Sequence, residues 1–427
     1  MESTLPDPTP NPMRGVLGIR DFMLLWVGQT TSLLGDQFHG IAAAWLVLKM
    51  TGDPLALGTV MAVGGIPRAF FTLVGGAITD RFSPRRVMLV SDVIRLLLSA
   101  LLAVQIFTGT LEVWMIYMYA LIGGIVGGFF GPASMSIVPH IVPEKYLGAG
   151  NSLTQGTAQL IGFLGPALAG LLIAAFPDEK IGTAVLIALD ALTFIVSILT
   201  LWMMRTGGEV TAAFSRIDLN TVFGSVKEGI VYMVKDPALR LMFVVIAIAN
   251  MSFGGPVIVG IPYLADTRFP EGAAAYGIII SGFAGGNLLG ILLAGGLPRP
   301  TRRVLRIMLV TMFVIFAVGI AAIGWISSTW LATLDLFIMG LLNGYISILL
   351  ITSLQRNTPR EMLGRLMSLV LFANMALIPI SQAIAGGVLR WNVPLLFVGA
   401  STLLGLLALY LTTPKASGEM IKQIFMD

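Results

Sequence analysis

The sequence contains no cysteine, only two histidines, and few charged residues, since Asp, Glu, Lys and Arg make up 11% of its 427 residues. Without cysteine the chain forms no disulfide, no thiolate metal site and no thiol redox centre. It also lacks a Gly-Lys dipeptide, which excludes the phosphate-binding loop of ATP-driven proteins. No cluster of His and carboxylates suggests a metal or catalytic centre. We therefore expect no metal, no cofactor and no enzymatic activity.

Apolar side chains are what the sequence has in abundance. They make up 56% of the residues, and the mean hydropathy is +0.90, far above that of soluble globular proteins. They form twelve stretches, each longer than the ~20 residues that a helix needs to cross a bilayer. The predicted fold class is an all-α integral membrane protein with twelve transmembrane helices in two six-helix halves.

Basic residues divide unequally between the two sets of gaps that separate these stretches. One set holds only Lys49, Lys180, Arg268 and Arg390, whereas almost all other Lys and Arg residues lie in the opposite set. Lys and Arg are retained on the cytoplasmic side during insertion. The pattern predicts a multi-pass protein of the cytoplasmic (inner) membrane with both termini in the cytoplasm. The net charge of +4 then reflects topology, and we expect no nucleic-acid partner.

The chain divides into five predicted segments. Residues 1–19 are expected to be a disordered cytoplasmic tail without an evident signal peptide, and 415–427 a second tail. Residues 20–205 and 238–414 form the two halves, joined by a cytoplasmic linker (206–237) with an amphipathic surface helix. The halves repeat at a constant offset, because Gly148 and Gly170 recur as Gly364 and Gly386 in matching sequence. Duplicated halves are typical of secondary transporters, with the substrate path between them.

The first span carries an unusual polar stripe. Gln29, Ser32, Asp36 and His39 recur at three- and four-residue steps, which places them on one helical face. Charges within spans cost ~2.5–3.5 kcal/mol and are by default functional. We predict that Asp36 and His39 carry protons, with Arg68 of the next span in the same group. Two alternatives stay open: a permanent Asp36–Arg68 ion pair, and a hydrogen-bonded structural role for His39.

A charged loop follows the second span and is predicted to act as a cytoplasmic gate. Its acid and its cations can pair with each other and with a facing helix end, and so hold one conformation closed. Charges near the inner end of the third span are expected to brace it. The gate residues are Gly76, Asp80, Arg81, Arg85 and Arg86, with Asp92 and Arg95 as the brace.

This loop resembles the signature G-x-x-x-D-R-x-G-R-[RK] of the major facilitator superfamily, with Ser83-Pro84 in place of the Gly-Arg pair. The resemblance covers all twelve predicted spans. It implies a transporter that works by alternating access between its halves, driven by an ion gradient, and a working monomer.

Shorter phrases resemble the exporter branch that includes enterobactin exporters and macrolide-efflux proteins. They are Arg20-Asp21-Phe22, Ile66-Pro67-Arg68, Asp190-Ala191-Leu192-Thr193-Phe194 and Gln355 to Pro359. Gly162, Gly165, Pro166 and Gly170 partly match the Gly-Pro motif of antiporters, without its final paired glycine. This resemblance implies export, with antibiotic resistance as the phenotype. The ionisable groups within the spans favour protons as the exchanged ion, and sodium stays an alternative. For Asp190 itself we expect a structural partner role.

Amide and aromatic side chains on the presumed central helices are the candidates for a substrate cavity. They are Gln29, Tyr117, Phe129, Gln155, Gln159, Asn250, Asn343, Tyr345, Asn374 and Gln382. Such walls suit an amphipathic small molecule of drug, macrolide or siderophore type in a protein surrounded by membrane lipids. Cations within spans occur only in the first half, which argues against a carrier of phosphate or carboxylate. A lysophospholipid or other lipid mover on the same fold is an alternative, and a non-transporting membrane sensor is a distant one.

Overall fold

The computed structural model describes residues 12–207, 237–298, 300–357 and 360–413. Every regular element in these ranges is helical, which confirms the all-α class. The linker predicted over 206–237 and the tail predicted over 415–427 lie outside the described residues, apart from the linker's first and last positions. The tail predicted over 1–19 is partly wrong. Pro12–Leu17 forms a short helix whose Val16 is fully buried, because it packs against the helix that begins at Glu144.

The helices follow one another with short connections. After α1 (Pro12–Leu17), the first half contains α2 (Arg20–Thr51), α3 (Pro54–Arg81), α4 (Pro84–Thr108), α5 (Val113–Ile141), α6 (Glu144–Ala174) and α7 (Glu179–Met203). In the second half, α8 (Pro237–Gly255) continues through a π-helical turn (Pro256–Gly260) into α9 (Ile261–Thr267). It is followed by α10 (Ala273–Gly296), α11 (Arg302–Ile323), α12 (Thr329–Asn357), α13 (Arg360–Trp391) and α14 (Val393–Thr412).

Ten segments within the described helices are long and apolar enough to cross a membrane, so the chain is a multi-pass membrane protein. The helices of the predicted first and eleventh spans, α2 and α13, are not among the ten, although each has 32 residues. Charged residues such as Asp36 lower the hydropathy of α2. The number twelve therefore stays a prediction.

Glycines and polar caps fix the helix ends. Gly52 and Gly109 adopt φ of 61° and 69°, the left-handed conformation that closes the C-termini of α2 and α4. Ser83 precedes Pro84 at the start of α4, and its hydroxyl accepts the Arg86 N–H at 3.3 Å. These caps allow sharp turns, so that successive helices run in opposite directions.

The two halves touch at one end of the bundle. We call it the Lys49 end, because α2 ends and α3 begins there; the opposite end, where α4 begins, is the Arg85 end. A Cβ added to Gly58 would lie 3.1 Å from the Cα of Gly386, and one added to Gly170 would lie 3.0 Å from the Cα of Gly277. Only glycines allow backbones so close. The repeated glycines Gly170 and Gly386 thus make equivalent contacts between the halves.

Toward the Arg85 end the same helices separate. A Cβ added to Gly148 or Gly156 of α6, or to Gly296 of α10, would meet no atom within 4 Å. Gln155 of α6 is also exposed. Within the described residues, the space between α6 and α10 is therefore closed at the Lys49 end and open at the Arg85 end.

Candidate functional site

Two buried polar stripes face each other between α4 and α7. The Ser197 hydroxyl donates to Asp92 Oδ2 at 2.6 Å, and the Ser99 hydroxyl donates to Asp190 Oδ2 at 2.8 Å. Asp92 is fully buried and Asp190 is 1% exposed. Each helix thus donates a hydrogen bond to the acid of the other, while Oδ1 of each acid is buried without a hydrogen-bond partner among the described residues.

The polar face of α2 meets these stripes. His39 Nδ1 lies 3.1 Å from Asp190 Oδ2, and Asp36 Oδ1 lies 3.6 Å from Arg95 Nη1. Asp36 and His39 keep 38% and 39% of their side-chain surface exposed, although both are in the middle of a long helix. We infer that this exposed surface borders a cavity, because the partners of both residues lie inside the bundle. The helix α2 then lies between that cavity and the buried stripes.

Arg95 is the cation of this network. Its guanidinium lies 4.7 Å from the ring centroid of Phe130 and 5.4 Å from that of Phe194. Its Nη1 has no hydrogen-bond partner within the part of the chain that the structure describes. Aromatic faces attract a cation without a hydrogen bond. Arg95 is therefore held in place by two rings and by the charge of Asp36.

Arg68 does not make the ion pair with Asp36 that the sequence left open. Asp36 pairs with Arg95 instead. Arg68 belongs to α3, which packs mainly on α5 and α13, whereas α4 packs on α7 and α7 packs on α2. A Cβ added to Gly127 would lie 3.5 Å from Arg68 Nε and 3.7 Å from Arg95 Nη2, so both guanidinium groups lie over Gly127. Arg68 is exposed.

The predicted gate loop is only partly described. The surroundings of Gly76 and the side chains of Asp80 and Arg81 lie outside the described residues. Arg85 donates from Nε to the Leu201 carbonyl at 2.7 Å and from Nη2 to the Trp202 carbonyl at 2.8 Å.

Arg85 therefore caps the C-terminus of α7 within its own half, where a cation is favourable. Arg86 is exposed. Asp92 and Arg95 were expected to brace this loop, but their described contacts are those of the buried network, because Asp92 already lies two turns into α4.

A charge cluster joins the halves at the Lys49 end. Lys49 Nζ lies 3.1 Å from Glu179 Oε2 of its own half and 2.7 Å from Asp266 Oδ1 of the other half. The Trp45 indole N–H donates to Glu179 at 3.3 Å. A cleft of about 690 Å³ opens beside Lys49 and Glu179.

The predicted cavity residues are scattered along the bundle. Tyr117 hydrogen-bonds Thr59 at 2.7 Å, and the rings of Phe129 and Phe71 are 5.2 Å apart, so both residues join α5 to α3. Gln382 is 7% exposed and lies in the contact between α13 and α3. The side chain of Asn374 is outside the described residues. The predicted cavity residues that are partly buried are Gln29, Gln159, Asn250, Asn343 and Tyr345.

The Gly-Pro segment of α6 lies where three helices meet. A Cβ on Gly165 would lie 2.7 Å from Cβ of Gln37 in α2, and the Ala167 N–H donates to Ser281 of α10 at 2.8 Å. Gly170 contacts Gly277 of α10, whereas Gly162 has open space beside it. The segment therefore sets how closely α6 approaches the other half.

Sequence reasoning missed several of these residues. Ser99 and Ser197 escaped notice because single hydroxyls in apolar spans are common, yet each lies seven residues after an acid on its own helix, which keeps it on the same face. Phe130 and Phe194 have the pattern of core residues. Lys49 was counted only as a topology signal, and no local pattern indicates its partner on α9.

Comparison with known proteins shows what the chain is similar to. The family model described as "Transmembrane secretion effector" matches residues 14–417. Macrolide efflux protein A of Streptococcus pyogenes is 24% identical over 348 residues, 82% of this chain and 84% of that protein. The multidrug efflux pump Tap of Mycolicibacterium fortuitum is 25% identical over 371 residues, 85% of this chain and 88% of that protein.

Solved structures share the fold at low identity. A POT family transporter bound to 5-aminolevulinic acid has a TM-score of 0.70 at 14% identity, covering 94% of this chain and 96% of the other. A D-xylose–proton symporter has a TM-score of 0.67 at 15% identity, with 93% and 98% coverage.

Proposed function

Because this chain belongs to the transmembrane secretion effector family of major facilitator transporters, we propose that it exports amphipathic small molecules in exchange for protons. The relatives named for macrolide efflux and multidrug efflux support export and this class of substrate. The observation that carries the proton exchange is the pairing of Asp36 with Arg95 and of His39 with Asp190, beside a cavity.

Protonation of Asp36 changes its contact with Arg95. An ionised carboxylate attracts the guanidinium, whereas a neutral one does not, and Arg95 then stays charged without its anionic partner. Asp36 is on α2, and Arg95 lies between rings of α5 and α7. A proton on Asp36 thus weakens the link between α2 and the rest of the first half, which is the differential interaction that a coupled conformational change needs.

His39 extends the proton path toward the buried acid. Its Nδ1 contacts Asp190, while a large fraction of its side chain is exposed to the cavity. An imidazole titrates near neutral pH, so it can pass a proton between water and a carboxylate. In this proposal Asp36 binds the transported proton, and His39 and Asp190 adjust its affinity.

The Lys49 end is the outer end in this proposal, because the gaps that hold few basic residues lie there. The described conformation is then closed outside and open to the cytoplasm. Outward opening separates Gly58 from Gly386 and Gly170 from Gly277, and it breaks the contact between Lys49 and Asp266. Export follows when substrate enters from the Arg85 end and leaves from the Lys49 end.

The test compares Asp36→Asn with Asp335→Asn in efflux-deficient cells. Asp335 is a matched control, because it is an acid within a span of the second half, beside Gly319 and away from the network. Accumulation of a fluorescent amphipathic cation, a macrolide and a fluorescent lysophospholipid is measured with and without a proton uncoupler. We expect energised efflux to be lost in Asp36→Asn and with the uncoupler, and to persist in Asp335→Asn.

Two results contradict the proposal. Unchanged efflux in Asp36→Asn, at equal expression, would remove Asp36 from coupling. Movement of the lysophospholipid alone, insensitive to the uncoupler, would replace drug export by lipid movement.

A further inference from the structure

We propose that the preferred substrate is an amphipathic anion whose acidic group binds Arg68. This inference rests on the proposed function, since it names the substrate class of the same cavity. It concerns charge selection, which neither the family nor the fold decides.

Arg68 lies within a span and has no ion pair among the described residues. In the described part of the chain, Lys49 and Arg390 pair with acids, and Arg95 pairs with Asp36. No carboxylate lies within ion-pair distance of Arg68 among these residues, and its side chain is exposed. A charge is costly within a membrane protein unless it has a partner or a function.

The position of Arg68 is inside the bundle. Its Nε lies over Gly127 of α5, next to the Nη2 of Arg95, so its guanidinium is at the depth of the Asp36 network and far from both helix ends. At this depth an exposed cation borders the cavity that also exposes Asp36 and His39. The absence of a side chain on Gly127 leaves room for both guanidinium groups.

The nearby acids are already in use. Asp36 faces Arg95, Asp190 accepts from Ser99 and contacts His39, and Asp92 accepts from Ser197. Asp92 and Asp190 are also buried, so they cannot move out to Arg68. The planar guanidinium of Arg68 is therefore available to a carboxylate, sulfonate or phosphate, which it can bind with two parallel hydrogen bonds.

The described side chains of the second half include no matching cation. Its Arg and Lys residues lie near the helix ends, and partly buried aromatic residues such as Phe253 and Phe283 pack together in its interior, with ring centroids 4.8 Å apart. Cations in one half alone argue against a carrier of free phosphate or of a small carboxylate, which would be held from both sides. They suit a molecule with one acidic group and a long apolar body, whose charge is bound by the first half.

A binding assay on the purified protein in neutral detergent tests this. Three probes carry the same dansyl group and undecyl chain, and they end in a carboxylate, a carboxamide or a trimethylammonium group. Charge-assisted hydrogen bonds predict that the carboxylate binds about tenfold more tightly than the carboxamide. Arg68→Gln should abolish this ratio, and Arg68→Lys should keep part of it, because lysine supplies charge without the planar fork.

Arg303→Gln is the control. Arg303 is an exposed arginine in the first turn of α11, so this substitution should leave the ratio unchanged. Equal affinities of the wild type for the three probes would overturn the inference, and so would no binding at all, or a carboxylate preference that survives in Arg68→Gln. The assay uses no proton gradient. A carboxylate preference that depends on Arg68, together with unchanged efflux in Asp36→Asn, would therefore refute the proton coupling alone.

Discussion

The first half of the chain places Asp92, Arg95 and Asp190 between its helices, whereas Asp335 is the one acid of the described second half that lies more than a turn away from a helix end. Yet the halves pack alike. Arg85 caps the last helix of the first half, and Arg306 donates to the Thr412 carbonyl at the end of the second at 2.7 Å. The comparison teaches that the two halves share the contacts that hold their helices together, whereas the charged side chains between helices are concentrated in the first half.

The largest expected effect on stability comes from removing a charged side chain within a span, and it should differ between the two halves. Arg95→Met removes the ion pair with the partly exposed Asp36 and two cation–π contacts, and should destabilise the protein by about 2–4 kcal/mol. Asp335→Asn should cost far less, because Asp335 Oδ2 has no hydrogen-bond partner in the described structure. Thermal unfolding of both variants in detergent measures the difference. Equal losses would mean that the second half depends on charge as much as the first.

The next effect should be equal in the two halves. Gly58→Leu and Gly277→Leu each insert a side chain where backbones are in contact, and should disfavour closure of the Lys49 end by about 1–3 kcal/mol. Because the sequence has no cysteine, cysteines introduced at Asp53 and Arg390 report closure by crosslinking. Gly405→Leu, where a Cβ meets nothing within 4 Å, is the control. Loss of crosslinking in only one of the two variants would contradict the equivalence.

Smaller and again equal effects are expected at the helix caps. Arg85→Gln and Arg306→Gln each remove a cation from a helix C-terminus, which should cost about 0.3–1 kcal/mol. Melting temperatures of the two variants should fall together. A much larger loss of transport than of stability for Arg85→Gln alone would show that the first cap also works as a gate.

The smallest effect on stability is expected for Lys49→Met. Its ion pairs are partly exposed, so their loss should cost about 0.2–1 kcal/mol. The variant should nevertheless reduce crosslinking between cysteines at Asp53 and Arg390, because Lys49 connects α2 to α9. Lys180→Met, an exposed lysine beside the same cleft, should change neither quantity. Undiminished crosslinking in Lys49→Met would show that the glycine contacts alone close this end.

The sequence was informative where a local pattern decides the structure. Apolar length predicted the helices, and the repeat of Gly170 as Gly386 predicted duplicated halves, in which these glycines make equivalent contacts. The three-and-four spacing of Asp36 and His39 placed them on one face of α2, beside a common network. These inferences need only the geometry of a single helix.

Partners on distant helices were not predictable in the same way. Arg68 and Arg95 were both available to Asp36, and the choice depends on how α4 and α7 pack against α2. The pairing of Ser197 with Asp92 also joins residues that are far apart in the chain. A single sequence contains no measure of such proximity, so the brace assigned to Arg95 was placed at the wrong depth.

The polar stripe of α4 also has a consequence for the order in which the protein is made. During synthesis α4 enters the membrane after α2 but before α7, so Asp36 is already available to Arg95 while Ser197 does not yet exist. An acid without its partner is costly within a membrane, so Asp92 lacks this stabilisation until α7 follows. We therefore expect the third span to take its final place only after the sixth has been made, because Ser197 of the sixth supplies the described hydrogen bond to Asp92.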